Sequence, residues 1–461
     1  MAARPPMDVA EAFRDLPGLA LLESARAGRR SRWTYLSADP VRTITLDAPV
    51  ADPFAEARAA VRRLGRSSTD TAIGEPPFAG GLIGYLGYDL GLSFESRRTI
   101  AADDQGLALL RLGLHDWVVA WDRLSGRAFL AGRAVDGNEA ALRERLDYVR
   151  VRLEDGAERT APEFRSREPL AGAGDEELLF GSSLDRVAFE RGVESVRSEI
   201  AAGQIYQVNL TRRLATPFRG DPWPLYRRLR TGDPALFAAF LELGNTPDGT
   251  PRAIASASPE PFLAIDSFGA VVADPIKGTR PRGRDRAEDR ALACELLASP
   301  KDRAENTMIV DVLRNDLGRV CRPGTVRVPR LCRLERTAAV QHLVSTVTGR
   351  LAPGRDPFDA LAASFPGGSI TGAPKLRAME IIEELEPVRR GPYTGALGWI
   401  GPDGAMATSI LIRTLVADGT RLTLHVGGGI TWRSDPAAEW AETIAKASGP
   451  LSAIGGAEVG V

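Results

Sequence analysis

Hydrophobic and polar positions follow two different periods along this chain, and the change between them divides it. Up to about residue 153, short runs rich in β-branched and aromatic residues, punctuated by turn residues, predict strands. They include Trp33-Thr-Tyr-Leu-Ser-Ala-Asp-Pro40, Ile44-Thr-Leu46 and His115-Asp-Trp-Val-Val-Ala-Trp121. Between Asp155 and Glu177 the pattern turns polar, with Pro and Gly scattered through Ala161-Pro-Glu-Phe-Arg-Ser166 and Leu170-Ala-Gly-Ala-Gly174, so residues 154–178 read as a linker. Beyond it Val187, Val193, Val196 and Ile200 recur near helical spacing, predicting a helix from about Leu184 to Ala202 that stops at Gly203. A strand pattern follows at Ile205–Thr211. Later strands are expected at Gly395–Ile400, Thr408–Thr414 and Leu422–Ile430, alternating with helices. Hairpin-length links are too frequent here for a purely parallel sheet, so the expected class is α+β, with large antiparallel sheets flanked by helices. The expected division is 1–153, the linker 154–178, and a main region 179–455.

Two helix starts place carboxylates where they need an explanation. Ser299-Pro-Lys-Asp302 has the form of a cap with Pro at the first helical position, and the helix runs through Met308, Ile309, Val312 and Leu313 to Gly318. Glu305 falls on its apolar stripe, where a carboxylate needs either a hard divalent cation or a buried arginine as partner. Asp435-Pro436 opens a second helix, with Glu439, Glu442 and Lys446 on one face. Glu442 beside Lys446 at i+4 reads on its own as an everyday surface pair, but in combination two carboxylates from two helices, completed by water and a substrate carboxylate, would suit magnesium. Two glycine-rich segments, Phe365-Pro-Gly-Gly-Ser-Ile-Thr-Gly-Ala-Pro-Lys375 and Gly427-Gly-Gly429, read either as tight turns or as backbone cradles for an anion, the first with Lys375 nearby. His342, in an apolar β-branched run, reads as a hydrogen-bonded core residue or a catalyst, and His115 and His425 as structural.

Composition sharpens one position. Only four of the 59 Lys and Arg residues are lysine, and one, Lys277, stands in Asp274-Pro-Ile-Lys-Gly-Thr-Arg-Pro-Arg-Gly283. A guanidinium stays protonated, whereas a desolvated ε-amine can become a nucleophile, so Lys277 is either the first catalytic candidate or a lysine on a solvated turn. Hydrophobic content of 44% and a net charge of −1 describe a globular protein without the basic footprint of a nucleic-acid binder. No apolar run reaches the roughly 18 residues of a membrane span, and the N-terminus lacks a secretory pattern, so the expected location is the cytoplasm. Cys294, Cys321 and Cys332 are widely spaced and form neither a disulfide framework nor a zinc motif.

Taken in order, Gly203-Gln-Ile-Tyr-Gln-Val-Asn-Leu210, Ser258-Pro-Glu260, Pro275–Gly283, Lys301-Asp-Arg-Ala-Glu-Asn306, Arg314-Asn-Asp-Leu-Gly-Arg319, His342-Leu-Val-Ser345, Gly367–Lys375, Ile412-Arg-Thr414 and Gly427-Gly-Gly-Ile430 resemble the chorismate-utilising enzymes. The likeness runs from about Ser182 to Lys446 and is weaker before it. It implies an α/β/β/α sandwich. It also implies Mg²⁺ held by Glu305 and Glu442 with Asp302 and Glu439 in support, Lys277 as nucleophile and Glu260 as general acid. Substrate contacts are implied at His342, Tyr393, Arg413, Lys446, Thr371, Gly372, Gly427, Gly428 and Gly429. Three positions resemble the aminodeoxychorismate-forming branch (component I) rather than anthranilate or isochorismate synthases: Lys277, where anthranilate synthases have alanine; Gln207, where isochorismate and salicylate synthases have a water-activating lysine; and Lys301–Asn306.

The implied activity is that of a transferase that makes 4-amino-4-deoxychorismate for p-aminobenzoate and folate. The alternatives are an anthranilate synthase component I and a non-catalytic binder of chorismate or an aromatic amino acid. Leu21-Leu-Glu-Ser24 resembles the tryptophan pocket of anthranilate synthases, and regulation, structural binding or plain packing at Glu23 and Ser24 all remain open. None of the cysteines sits on a glycine-rich elbow of the kind a glutaminase nucleophile needs, so the expected ammonia source is a separate glutamine amidotransferase subunit in a heterodimer, or free ammonium at high concentration.

Overall fold

A computed structural model describes residues 4–25, 32–65, 75–95, 99–155, 177–337 and 340–460; residues 156–176 of the expected linker lie outside them. The helix termini sit where the local signals place them. The Asp185 carboxylate accepts from the Ala188 amide at the head of the helix Arg186–Ala201. Ser299 does the same for the Asp302 amide in Pro300–Gly318, and Asp435 for the Ala438 amide in Pro436–Ile454. No helix among the described residues is long and apolar enough to cross a membrane.

Two large sheets dominate, of twelve and ten strands among the described residues. Three apolar clusters show how they stack. Tyr35, Leu241, Ile254 and Val416 of the first sheet meet Ile83, Leu397 and Trp399 of the second in one cluster. A second cluster packs the outer face of the first sheet against Trp223, Tyr226 and Leu451 of helices. A third packs the second sheet against Ile309, Leu313 and Ile382 of others. The layers are therefore helix, sheet, sheet, helix, the expected α+β sandwich. Phe78 and Trp399, with ring centroids 4.9 Å apart, are the tightest aromatic pair in the intersheet layer. Strands from the first 153 residues complete both sheets: Ala20–Glu23 pairs with Phe237–Asn245, and Gly81–Leu86 with Ala396–Ile400.

Two apolar runs expected to be single strands are each split. His115–Trp121 divides into the end of Leu110–His115, in the second sheet, and Trp117–Asp122, in the first. Thr408–Thr414 divides into Met406–Ile410, in the second sheet, and Thr414–Ala417, in the first. Both sheets bury side chains in the same layer, so alternation continues through a crossing that backbone pairing does not survive. A third crossing joins Pro251–Ser258 in the first sheet to Pro261–Ile265 in the second, through Pro259 and Glu260. Two of these crossings thus carry expected site residues, Glu260 and Arg413.

Candidate active site

A cavity of about 680 Å³ is lined by residues of both sheets, of the crossings at Glu260 and Arg413, and of the helices Pro300–Gly318 and Pro436–Ile454. Lys277, Lys301 and Lys446 line it, three of the four lysines in a chain that otherwise uses arginine.

Lys277 stands in the strand Ile276–Pro281 at the end of the second sheet, opposite Leu343, so it is not on a solvated turn. The register slips between Lys277 and Thr279, where Gly278 has φ +78° and a Cβ would lie 2.9 Å from Cβ of Asp302. Glycine there permits a bulge that turns the strand at the lysine. The Lys277 Nζ donates to the Ser369 carbonyl at 2.9 Å. Burial pulls the amine below its ordinary range, aided by Lys446 and opposed by Glu260 and Glu305. Burial pushes the Glu260 carboxyl up, opposed chiefly by Lys277. The amine is thus biased towards its neutral form and the carboxyl towards its protonated form within one cavity.

Part of the lining is acidic. Gly428 lets the backbone approach two carboxylates of the Pro436–Ile454 helix: a Cβ there would lie 3.2 Å from Glu439 Oε2 and 3.3 Å from Glu442 Oε1. Glu305 Oε1 is buried without a hydrogen-bond partner among the described residues, and its ion pair with Lys301 spans 4.0 Å. Burial raises the Glu305 carboxyl, with Asp302 and Glu439 adding to the rise, and burial likewise raises Glu439. At Glu442 burial is outweighed by Lys446, 2.7 Å away, and the carboxyl is held below its usual range. Among the described residues no three His, Cys, Asp or Glu side chains form a metal cage. The donor set fits a hard divalent cation that takes its remaining ligands from water and substrate, because hard oxygens converge here and one of them lacks a donor.

The remaining wall is a strand pair. Gly427, Gly428 and Gly429 pair with Thr211, Leu210 and Asn209. Behind this wall the Gln207 amide lies against Gly429, wholly buried and with neither end hydrogen-bonded among the described residues. The Tyr393 ring stacks on His425 at 4.8 Å and 10°. His342 Nδ1 lies 2.9 Å from Thr279 Oγ1, and Arg413 pairs with Asp233 at 3.2 Å.

The cavity therefore gathers Lys277, Glu260, Glu305, Glu442, His342, Tyr393, Arg413, Lys446 and the three glycines. Thr371 and Gly372 lie behind this lining: Thr371 is buried and donates to the Gly367 carbonyl at 2.9 Å, and Gly372 pairs with Val208. Their loop reaches the cavity through Ser369 and Ile370 instead. Lys375 is no anion ligand of that loop, because its amine bonds Asp316 at 2.7 Å and the Ser364 carbonyl at 3.1 Å. His425 was expected to be structural, yet it lines the cavity, with Nε2 buried and unbonded and burial holding the ring neutral. His115 is structural: its Nδ1 meets Ser37 Oγ at 2.8 Å, and burial pushes its pKa down to about 3. Asn209 and Thr211 were not anticipated. Their signal was present, since Gln207, Asn209 and Thr211 alternate with Val208 and Leu210 along one strand.

Glu23 and Ser24 line a separate cavity of about 240 Å³ with Trp33, Tyr35 and Trp399. The Glu23 carboxylate is bonded to Arg230 and accepts from the Tyr226 hydroxyl at 3.1 Å, and Ser24 Oγ donates to the Trp33 carbonyl at 3.0 Å.

The chorismate binding enzyme family matches residues 19–452. The chain belongs to that family. This chorismate-utilising enzyme is 41% identical to anthranilate synthase component 1 of Streptomyces coelicolor, over 95% of its own length and 84% of the relative's. It is 42% identical to aminodeoxychorismate synthase component 1 of Salmonella typhimurium, over 80% of its length and 76% of the relative's. Its fold matches the crystal structure of anthranilate synthase component I from Streptococcus pneumoniae with a TM-score of 0.78 and 30% identity, covering 92% of this chain and 93% of that one.

Proposed function

We propose that this chorismate-utilising enzyme is component I of an aminodeoxychorismate synthase, converting chorismate and ammonia to 4-amino-4-deoxychorismate for p-aminobenzoate and folate synthesis. The observation that carries the reading is the Lys277 amine, desolvated and tethered to the Ser369 carbonyl in the same cavity as a raised Glu260 carboxyl. The neutral amine attacks ring carbon C2, the ring double bond shifts, and the C4 hydroxyl leaves as water with the proton of Glu260. Ammonia then bonds to C4, the double bond shifts back, the C2–N bond to Lys277 breaks, and the surplus ammonia proton returns to Glu260. A nucleophile already on C2 is what directs the nitrogen to C4.

Lys446, Arg413 and Tyr393 bind the substrate carboxylates, His342 faces the ring hydroxyl region, and Gly427–Gly429 leave room for the ring. Glu305 and Glu442, supported by Asp302 and Glu439, would hold magnesium, which when bound neutralises the ring carboxylate and orients the ring. Gln207, an amide, supplies no base to activate water, which favours ammonia as nucleophile. Ammonia comes from a separate glutamine amidotransferase: two of the three cysteines are buried and the third lies outside the cavity, and the relatives named above are each a component 1.

Mass spectrometry of the products from chorismate, Mg²⁺ and excess ammonium tests the reading: 4-amino-4-deoxychorismate is expected, and anthranilate would overturn it. Anthranilate synthase is the second reading, favoured by the longer match to the Streptomyces coelicolor relative.

A further inference from the structure

Arg413 occupies a conspicuous place: a non-glycine residue at φ +49°, in the turn that carries the chain from the second sheet to the first. Left-handed backbone at a bulky residue persists only where its surroundings hold it, and here the Arg413 carbonyl accepts from the Ala257 amide at 3.0 Å. The guanidinium meets Asp233, and both contacts, at 3.2 and 3.4 Å, run through one nitrogen, Nη1. The Nε–Nη2 edge, the fork that grips a carboxylate with two parallel bonds, has no partner among the described residues.

Asp233 is itself held in place. It caps the helix Pro222–Gly232, its amide donating to the Leu229 carbonyl at 2.8 Å. Its carboxylate rests against Gly449 of the Pro436–Ile454 helix, one turn beyond Lys446. The aspartate therefore refers the position of Arg413 to the helix that supplies Lys446 and Glu442.

We propose that Asp233 is a positioning residue that presents the open edge of Arg413 to a substrate carboxylate. The proposal rests on the reading of Arg413 as a carboxylate ligand. Asp233 does not touch substrate. It takes one nitrogen of the fork, leaves the bidentate edge free, and removes the freedom the half-exposed arginine would otherwise lose on binding. A half-exposed ion pair contributes little to folding, so its effect should fall on substrate binding.

The test is steady-state kinetics on Asp233→Asn, Asp233→Glu, Arg413→Ala and the Asp233→Asn/Arg413→Ala double variant, following chorismate consumption, with melting temperatures measured alongside. Asp233→Asn is expected to raise KM for chorismate about tenfold, the scale of coupling between charged neighbours, with kcat within about twofold. Asp233→Glu should recover part of the loss, and Asp233→Asn should add nothing to Arg413→Ala. An unchanged or lowered KM, a fall confined to kcat, or the same penalty without Arg413 would overturn the proposal. Chorismate consumption is measured whichever amine forms, so a failure of the product assignment appears separately, as anthranilate in the wild-type reaction.

Discussion

Two cavities in this enzyme contain buried carboxylates, and they differ in what those carboxylates lack. Around Glu23 the charges have an answer: Arg230 and Tyr226 bond the carboxylate and Trp33 bonds Ser24, and what the 240 Å³ cavity leaves buried without a partner among the described residues is an uncharged group, the Tyr35 hydroxyl. In the 680 Å³ cavity Glu305 keeps an unbonded buried oxygen and His425 an unbonded ring nitrogen among the described residues, Gln207 keeps an unbonded amide behind the lining, and the Lys277 amine and Glu260 carboxyl are shifted towards their neutral forms. Unanswered polar groups cost stability and persist where a ligand completes them. The contrast separates an ion pair answered within the chain from a cavity whose charged groups are left open.

Lys277→Ala attacks the contrast hardest. Amination at C4 should fall about 10³-fold or more while chorismate binding, read by calorimetry, survives. Glu305→Gln should cost about 10²-fold in kcat/KM, the scale of a disturbed metal site, and should abolish the rise in melting temperature that Mg²⁺ is expected to give the wild-type protein. Glu23→Gln should do the opposite: a loss of about 2 kcal/mol in stability, from a buried charge-assisted bond, with kcat/KM nearly unchanged.

The smallest effect is on proton affinity. Mass-mapped modification by an amine-reactive reagent should show Lys277 titrating below the 10.5 of an ordinary lysine. Glu260→Gln removes a carboxylate that favours the ammonium form, so the midpoint should move further down. A lowered amine pKa means that the unfolded chain holds the extra proton between the folded value and 10.5. Folding stability should therefore gain from this group as pH rises through that window.

Much of this was legible in the sequence, for reasons that vary by element. Ser299 and Asp435 mark helix starts because a cap is a local interaction, complete within four residues. Lys277 stood out because the chain avoids lysine elsewhere. The crossings at Asp116 and Arg413 did not show, because alternation records which side faces the intersheet layer and not which sheet supplies the hydrogen bonds. Thr371 and Gly372 sit in a motif whose backbone is shaped for its neighbours Ser369 and Ile370, and residue type alone does not tell lining from support. His425 read as structural because its stacking partner, Tyr393, lies far away in sequence.

The interleaving of early and late strands also sets the order in which the chain can become a protein. Leu21 pairs early with Leu36, but the other edge of its strand waits for Phe240, and Gly84 pairs with Leu112 while its other edge waits for Gly398. A ribosome releasing this chain exposes unpaired strand edges for most of synthesis, and contacts this distant in sequence form slowly. The nascent enzyme should therefore depend on chaperones, and removal of the first 153 residues should yield an aggregating fragment rather than a smaller catalyst.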